Sequence, residues 1–397
     1  MIQRPTADAV GTFPTAGPAS SPTLVDAVAG RQRRLLEAAK AAGRQAVIIY
    51  SAAAHSMLAM DGVWWASGFK PMGECALGIA PDGSFELWVS PTWDLARAEE
   101  AVGTHATGVS DVFAAAEAWL GRFCLARDEV LLCGTEKISA RRHPSAVAAL
   151  GEHDGTGDRL LLETARRRDG YERALAVEAA RMAELGFGRL LEEIRPGLAE
   201  YAVVAILDGF LREFGSEDNF VLVSASQRNR SVHPPTERTV ERGDVLLAEI
   251  SPSVGGMFTQ ICRSVTIGRP GPSIADDYQL LDAAFEAGRV ACVPGGPVRA
   301  AAQAMDAVLT EAGFGDYCRP PYMRARGHGL GMGSVLPGDV TVSSKEVFVE
   351  GDYFVLHPNQ YLPGSGYLLC GEPVIVEPGG ARLVSSRRGE LTTVGVT

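Results

Sequence analysis

The stretch GDVLLAEI, residues 243–250, decides the fold, because the chain repeats its design further on as GDYFVLHP, residues 351–358. Each stretch opens with a Gly-Asp pair and continues as an apolar run typical of a buried strand. Five residues after each aspartate, a polar side chain interrupts the run, Glu249 in the first copy and His357 in the second. Burying such a group is costly unless it is partnered, so both positions are candidates for a functional site.

The repeat extends to the segments before each stretch. In both copies a predicted helix is followed by a Pro-Gly turn, a second helix that ends at a glycine, and a histidine, His233 or His328. Two halves of matching order are expected to pack about a pseudo-two-fold axis and to bring their polar positions into one central cleft. A chance similarity of the two halves is the alternative. The predicted helices span residues 170–185, 199–214, 276–290 and 298–312.

The segments before this repeat predict an α/β domain. Alternating helical and strand patterns cover residues 24–132, and residues 1–22, rich in Pro, Ala, Thr, Gly and Ser, predict a flexible tail. We therefore predict an α/β (α+β) protein with an N-terminal domain at 23–165 and a C-terminal domain at 166–397.

Composition limits the function classes. Of the 397 residues, 46% are hydrophobic and 21% are charged, which excludes wholesale disorder, collagen and coiled coil. The net charge of −11 makes nucleic acid an unsuitable partner. Seven scattered cysteines without a CxxC pair favour a reducing cytoplasm, and neither a membrane span nor a signal peptide is predicted.

Several motifs occur in the order found in one known family. They include IRPGLAE at 194–200, GMFTQICRS at 256–264 and GHGLG at 327–331, besides the two Gly-Asp stretches. With these motifs the C-terminal part resembles the pita-bread family of creatinase, prolidase, aminopeptidase P and methionine aminopeptidase. WASGF at 65–69 is similar to a segment of the creatinase-type N-terminal domain. The resemblance implies a creatinase-like N-terminal domain followed by a pita-bread domain with pseudo-two-fold halves.

The family's metallopeptidases bind two divalent ions through two Asp, one His and two Glu. Only two of the five matching positions keep the ligand type, and the remaining two carboxylates would leave about two positive charges uncompensated in a desolvated cleft. No histidine occurs near residues 334–337, where the family's second catalytic histidine would fall. We therefore predict neither a catalytic metal nor a cofactor. The matching residues are Glu249, Gln260, His328, His357 and Glu372.

His233 matches the catalytic histidine of creatinase, a metal-free member of the family. The resemblance implies a metal-independent hydrolase that cleaves a non-peptide C–N bond in a small zwitterionic, guanidino or amidine-type metabolite, with His233 as general acid and base. Glu249 and Glu372 would bind the cationic group, and His328 and His357 would stabilise the oxyanion.

Further expectations concern substrate contacts and assembly. Gln260 and Arg263 are predicted to bind substrate, although a structural salt bridge is an equally good interpretation of Arg263. In creatinase-like homodimers the N-terminal domain of one subunit closes the other's cleft, so Lys70 and Glu74 are predicted to reach a partner's substrate; ordinary loop charges are the alternative. Three other functions stay open: a mononuclear metal-dependent hydrolase or lyase using Glu249, His328, His357 and Glu372, a non-catalytic ligand-binding protein, and a rearrangement.

Overall fold

The computed structural model describes residues 23–333 and 336–395. The predicted tail at 1–22, and Ser334 and Val335 of the segment in which no histidine was found, lie outside the described residues. The first part of the chain is a mixed five-stranded sheet of order β4-β3-β2-β1-β5, packed against helices. Its elements are α1 (Leu24–Ala41), β1 (Ala46–Ser51), α2 (Gly62–Ser67), β2 (Cys75–Ile79), β3 (Phe85–Val89), α3 (Leu95–Val102), β4 (Ala106–Gly108), α4 (Val112–Arg122), β5 (Val130–Cys133), α5 (His143–Leu150) and α6 (Thr156–Arg166).

The second part contains two larger sheets with a helix pair on each. One sheet has the order β16-β9-β7-β6 and the other β10-β11-β14-β15. The elements are α7 (Gly170–Glu193), α8 (Glu200–Glu213), β6 (Asn219–Ser226), β7 (Val245–Val254), β8 (Met257–Phe258), β9 (Ile261–Ile267), α9 (Ile274–Ala291), α10 (Val298–Glu311), β10 (Gly327–Gly329), β11 (Tyr353–Leu356), β12 (Gln360–Leu362), β13 (Gly366–Leu368), β14 (Glu372–Glu377), β15 (Gly380–Leu383) and β16 (Thr392–Val394).

The two halves follow the predicted order, and the mixed α/β fold class is confirmed. Helices α7 and α8 pack on the β16-β9-β7-β6 sheet, and α9 packs on β11 and β15 of the β10-β11-β14-β15 sheet. The sheets meet where Cys262 of β9 forms a bridge with Gly371, the residue before β14. Strand β9 pairs with β7, which carries Glu249, and β14 pairs with β11, which precedes His357, so this bridge brings the polar positions of the two halves to one cleft.

Two element boundaries differ from those predicted. Helix α7 continues to Glu193, beyond the predicted end at residue 185, because Gly186 lies where α7 packs tightly against α8: a Cβ there would be 3.0 Å from Leu211. The apolar run at 257–265 predicts one strand, but the strand is interrupted at residues 259–260. The two residues before the interruption pair with the end of β7, and the residues after it pair with the first six residues of β7.

Buried ion pairs connect the two parts of the chain. The Arg31 guanidinium lies 2.7 Å from the carboxylate of Asp169, the N-cap of α7. Trp65 donates its indole N–H to Glu172 at 3.3 Å. These contacts fix helices α1 and α2 of the first part against the first turn of α7. None of the described helices is both long and apolar enough to cross a bilayer.

Candidate functional site

Glu249 is the most isolated charged group of the cleft. It lies on β7, opposite Cys262 of β9, and its exposed fraction is 9%. Asn359 donates its side-chain N–H to Glu249 Oε1 at 3.3 Å, and the Cys262 thiol lies 4.0 Å from the same oxygen. No Lys, Arg or His of the described chain forms an ion pair with this carboxyl group, and burial raises its pKa to about 7. Glu249 is therefore a buried acid that still lacks a cationic partner.

Two imidazoles meet edge-on in the cleft, and Gln260 and Cys262 connect His328 to this acid. His328 of β10 and His357, which follows β11, have ring centroids 5.6 Å apart. Burial lowers the pKa of both imidazoles. For His357 the proximity of His328 lowers it further, and the pKa of His357 falls to about 3. Both rings are therefore neutral at physiological pH, and the low pKa makes His357 a weak base.

Contacts of the two rings differ. His328 Nε2 lies 3.1 Å from Gln260 Oε1, and its Nδ1 lies 3.0 Å from the carbonyl oxygen of Gly329. The Nδ1 atom of His357 is buried and has no hydrogen-bond partner among the described residues. An unpartnered buried nitrogen costs free energy, so this atom is available to a ligand or to water.

Gly327 allows β10 to approach β11 closely enough to place His328 here. Its φ is +150°, and a Cβ at this position would lie 2.1 Å from the carbonyl oxygen of Val355. A larger residue would push the two strands apart.

Arg263 and Glu372 pair with each other inside the protein. The Arg263 Nη1 atom lies 2.7 Å from Glu372 Oε1, and Nη2 donates to Oε2 at 3.2 Å. The backbone N–H of Gly389 donates to Oε1 at 2.6 Å. Because both carboxylate oxygens already have donors, the geometry favours the structural salt bridge over substrate binding by either residue.

His233 lies apart from this group. It follows β6, its backbone N–H donates to Ser224 Oγ at 2.9 Å, and its Nδ1 lies 2.8 Å from the Pro234 carbonyl oxygen. In the described chain, no hydrogen bond joins its imidazole to Glu249 or to the histidine pair. Its role as the acid and base stays a prediction that this geometry does not support.

Lys70 and Glu74 are engaged within their own chain. Lys70 Nζ lies 3.0 Å from Asp218 Oδ2 and 4.7 Å from the centroid of the Trp64 ring. Glu74 accepts hydrogen bonds from Tyr50 at 2.9 Å and from Arg142 at 3.0 Å. Their predicted contact with a partner's substrate stays a prediction.

Two contacts of Glu249 were not predicted. Asn359 stands two residues after His357 in the sequence HPNQY and could have been found from that spacing, since the chain is extended there. Cys262 could not, because its contact depends on the register between β7 and β9.

Comparisons with known proteins identify relatives of the C-terminal part. The profile of metallopeptidase family M24 matches residues 174–385. An uncharacterized peptidase, YqhT of Bacillus subtilis, is 25% identical over 217 residues, which are 54% of this chain and 60% of that protein. The probable dipeptidase PepE of Mycobacterium bovis is 28% identical over 245 residues, 60% of this chain and 64% of that protein. The chain thus spans about three fifths of the length of these relatives.

Solved structures match over nearly the whole described fold. An Xaa-Pro dipeptidase from Bacillus anthracis gives a TM-score of 0.78 at 19% identity, covering 92% of this chain and 99% of that one. An X-Pro aminopeptidase from Thermotoga maritima gives 0.79 at 19% identity, covering 91% and 99%. These similarities establish the fold alone, and they confirm the predicted pita-bread architecture.

The relatives correct the predicted reaction. They are named as peptidases and dipeptidases, and the matching family is one of metallopeptidases. The prediction of a metal-independent hydrolase acting on a non-peptide C–N bond is therefore wrong. The prediction assumed that the replacement of metal ligands changes the bond that is cleaved. The loss of a metal ligand, however, does not determine which substrate the cleft binds. Membership in a class of hydrolases is confirmed at the level of the family.

Proposed function

The chain belongs to metallopeptidase family M24, and we propose on that basis that its cleft binds short peptides and hydrolyses the peptide bond. The observation that supports this most strongly is Glu249, a buried carboxyl group with no cationic partner in the described chain. A short peptide carries an ammonium group at its amino terminus, which is the partner that this carboxylate lacks.

The family's name implies a divalent-metal centre. The residues of this chain do not fit a centre that contains two ions. Among residues 23–333 and 336–395, no three His, Cys, Asp or Glu side chains are grouped so that they could hold a metal ion. Glu372 is saturated by Arg263 and a backbone N–H, and Gln260 offers a neutral amide where a bridging carboxylate would be needed. The roles proposed below are therefore those of the side chains themselves.

What the residues can supply is binding and proton transfer. Glu249, once ionised by an approaching ammonium group, would fix one end of the peptide through a charge-assisted hydrogen bond. Neutral His357, whose Nδ1 has no partner in the described chain, would accept a hydrogen bond from a water molecule beside the peptide carbonyl carbon. As the water oxygen adds to that carbon, one water proton would pass to the imidazole, which would then give it to the amine nitrogen that leaves when the C–N bond breaks. His328 would then orient the same water or hydrogen-bond the carbonyl oxygen.

Peptide binding without turnover is the second candidate function. The observation that favours it is the lack of a metal-ligand cluster among the described residues, together with the ion pair that Arg263 and Glu372 form with each other. Under this alternative Glu249 keeps its role in binding the amino group, while the histidines only complete the shape of the cleft.

A panel of dipeptides tests the proposal. We expect the wild-type protein to release free amino acids from at least one dipeptide, and Glu249→Gln to lower kcat/KM by roughly 10- to 100-fold, because a hydrogen bond to a charged group is lost. Amino-acid release is measured by mass spectrometry in manganese-supplemented and EDTA-treated samples. Glu377→Gln, which removes an exposed carboxylate paired with Arg382, is the control.

Three outcomes would contradict parts of the proposal. Consumption of a guanidino or lactam compound without any dipeptide cleavage would overturn it. Dipeptide binding without cleavage would establish the second candidate instead. Turnover that rises with metal loading up to two ions per chain would show that the donor set was misjudged.

The predicted homodimer remains a proposal of ours. Its support is the exposure of Leu58, Met72 and Trp93 on the first part of the chain, with 62–70% of each side chain accessible. Burying these side chains against a second copy would remove apolar surface from water, which favours association.

A further inference from the structure

Three tyrosines form an exposed cluster on the segments that lead to the cleft. Tyr322 stacks on Tyr361 with centroids 5.5 Å apart and an interplanar angle of 26°, and Tyr317 meets Tyr322 edge-on at 4.9 Å. Tyr322 is 39% exposed, and the other two are half-buried. We call Tyr317, Tyr322 and Tyr361 the tyrosine cluster. Its members come from two segments more than 35 residues apart in the chain, so tertiary structure has to assemble it.

The hairpin formed by β12 and β13 connects the tyrosine cluster to the surroundings of Glu249. Tyr361 of β12 stands directly opposite Tyr367 of β13, so both side chains lie on the same face of the hairpin. Burial raises the pKa of Tyr367, and the negative charge of Glu249 adds to the rise. Asn359, which donates to Glu249, immediately precedes the hairpin.

The segment with Tyr317 is fixed to the same hairpin. Gln360 donates its side-chain N–H to the Tyr317 carbonyl oxygen at 2.7 Å, and its Oε1 accepts from Arg326 at 2.9 Å. Arg326 is completely buried and also donates to the Asn359 carbonyl oxygen at 3.2 Å. Hydrogen bonds therefore fix Tyr317 to the hairpin that begins after Asn359, and Tyr322 is joined to the same hairpin by its ring contact with Tyr361.

We propose that the tyrosine cluster binds the side chain of the ligand's amino-terminal residue, and that this side chain is aromatic or large and apolar. This inference rests on the proposed function, because it assumes that Glu249 holds the amino group. The amino group and the side chain of one residue leave the same Cα atom. A ligand anchored at the isolated carboxyl group would thus direct its first side chain along the aromatic face that begins at Tyr367.

The chemistry of the tyrosine rings determines which amino-terminal side chain binds best. Aromatic rings prefer stacked or edge-on aromatic partners and bury apolar area well, while the phenol hydroxyls remain hydrated at the surface. A small amino-terminal residue such as glycine would leave the exposed ring of Tyr322 uncovered and gain none of this free energy.

Binding of two simple amines tests the inference without any peptide bond between residues. We expect wild-type protein to bind L-phenylalaninamide roughly 10-fold more tightly than glycinamide, as aromatic contact and burial of the ring predict. Tyr322→Ser should reduce this ratio to about 3-fold or less, and Tyr322→Phe should preserve it, because the ring and not the hydroxyl makes the contact. Dissociation constants are measured by titration calorimetry.

Controls separate this inference from the proposed function. Tyr201→Ser, which removes a 57% exposed tyrosine of α8, should leave the ratio unchanged. Glu249→Gln should weaken both amines and leave their ratio unchanged. An unaltered ratio in Tyr322→Ser, with wild-type thermal stability, would overturn the inference even if dipeptides are hydrolysed. An intact, Tyr322-dependent ratio without any dipeptide cleavage would support the aromatic site while the hydrolytic function fails.

Discussion

Replacing Arg263 by methionine is expected to lower the free energy of unfolding by about 3–5 kcal/mol, the usual cost of removing one partner from a buried ion pair. Glu372 is only 2% exposed, and Arg263 supplies donors to both of its carboxylate oxygens. Without the guanidinium, a carboxylate would stay in the interior with a single backbone N–H from Gly389. Urea unfolding at pH 7 measures the difference.

Two further variants identify the cause of that loss. The double variant Arg263→Met with Glu372→Leu should recover most of the stability, because exchanging a whole buried pair for apolar residues is often neutral. Arg382→Met, which breaks an exposed pair with Glu377 at 2.8 Å, should cost at most about 1 kcal/mol. If Arg263→Met proves as mild as Arg382→Met, the pair does not hold the two sheets together.

Glu249→Gln is expected to make the protein progressively more stable than wild type as the pH rises from 5 to 8. Burial raises the pKa of Glu249 from its ordinary value of 4.5 to about 7. Below pH 4.5 both the folded and the unfolded chain hold the proton, so the folded state loses nothing. Between pH 4.5 and 7 only the unfolded chain releases it, and the folded state loses about 1.4 kcal/mol for each pH unit.

The expected change is about 2.5 kcal/mol in the difference between variant and wild type from pH 5 to pH 8. Glutamine removes the titration while keeping the shape and an acceptor for Asn359. The free energy of unfolding is measured in urea at pH 5 and pH 8 for both proteins, with Glu377→Gln as the exposed control. A difference that is the same at both pH values would mean that Glu249 already has a charged partner or free access to water.

Sequence patterns were sufficient for the architecture because the information is local. The Gly-Asp pairs at 243–244 and 351–352, the apolar runs after them and the helix pairs before them all depend on periodicity and turn chemistry. These signals gave the order of both halves and put Glu249, His328 and His357 in one cleft. Even the error at the end of α7 has a local origin, since Gly186 resembles a stop signal until the neighbouring helix is known.

Contacts between strands that are distant in the chain could not be predicted from the sequence. The pairing of Arg263 with Glu372 depends on the bridge between Cys262 and Gly371, which is set by how the two sheets meet. The tyrosine cluster depends in the same way on a hairpin register and on the placement of residues 317–322. The reaction was also misjudged, because counting lost carboxylates limits how much metal charge a site can hold but does not select the bond that is cleaved.

The measurement that tests the central claim most directly compares a dipeptide with its N-acetylated form, in wild type and in Glu249→Gln, by titration calorimetry at pH 8. If Glu249 holds the amino group, wild type should bind the free dipeptide roughly 10- to 100-fold more tightly than the acetylated one, and the variant should bind both alike. Equal affinities in the wild-type protein would contradict the account, because the isolated carboxylate would then have no part in recognising the ligand.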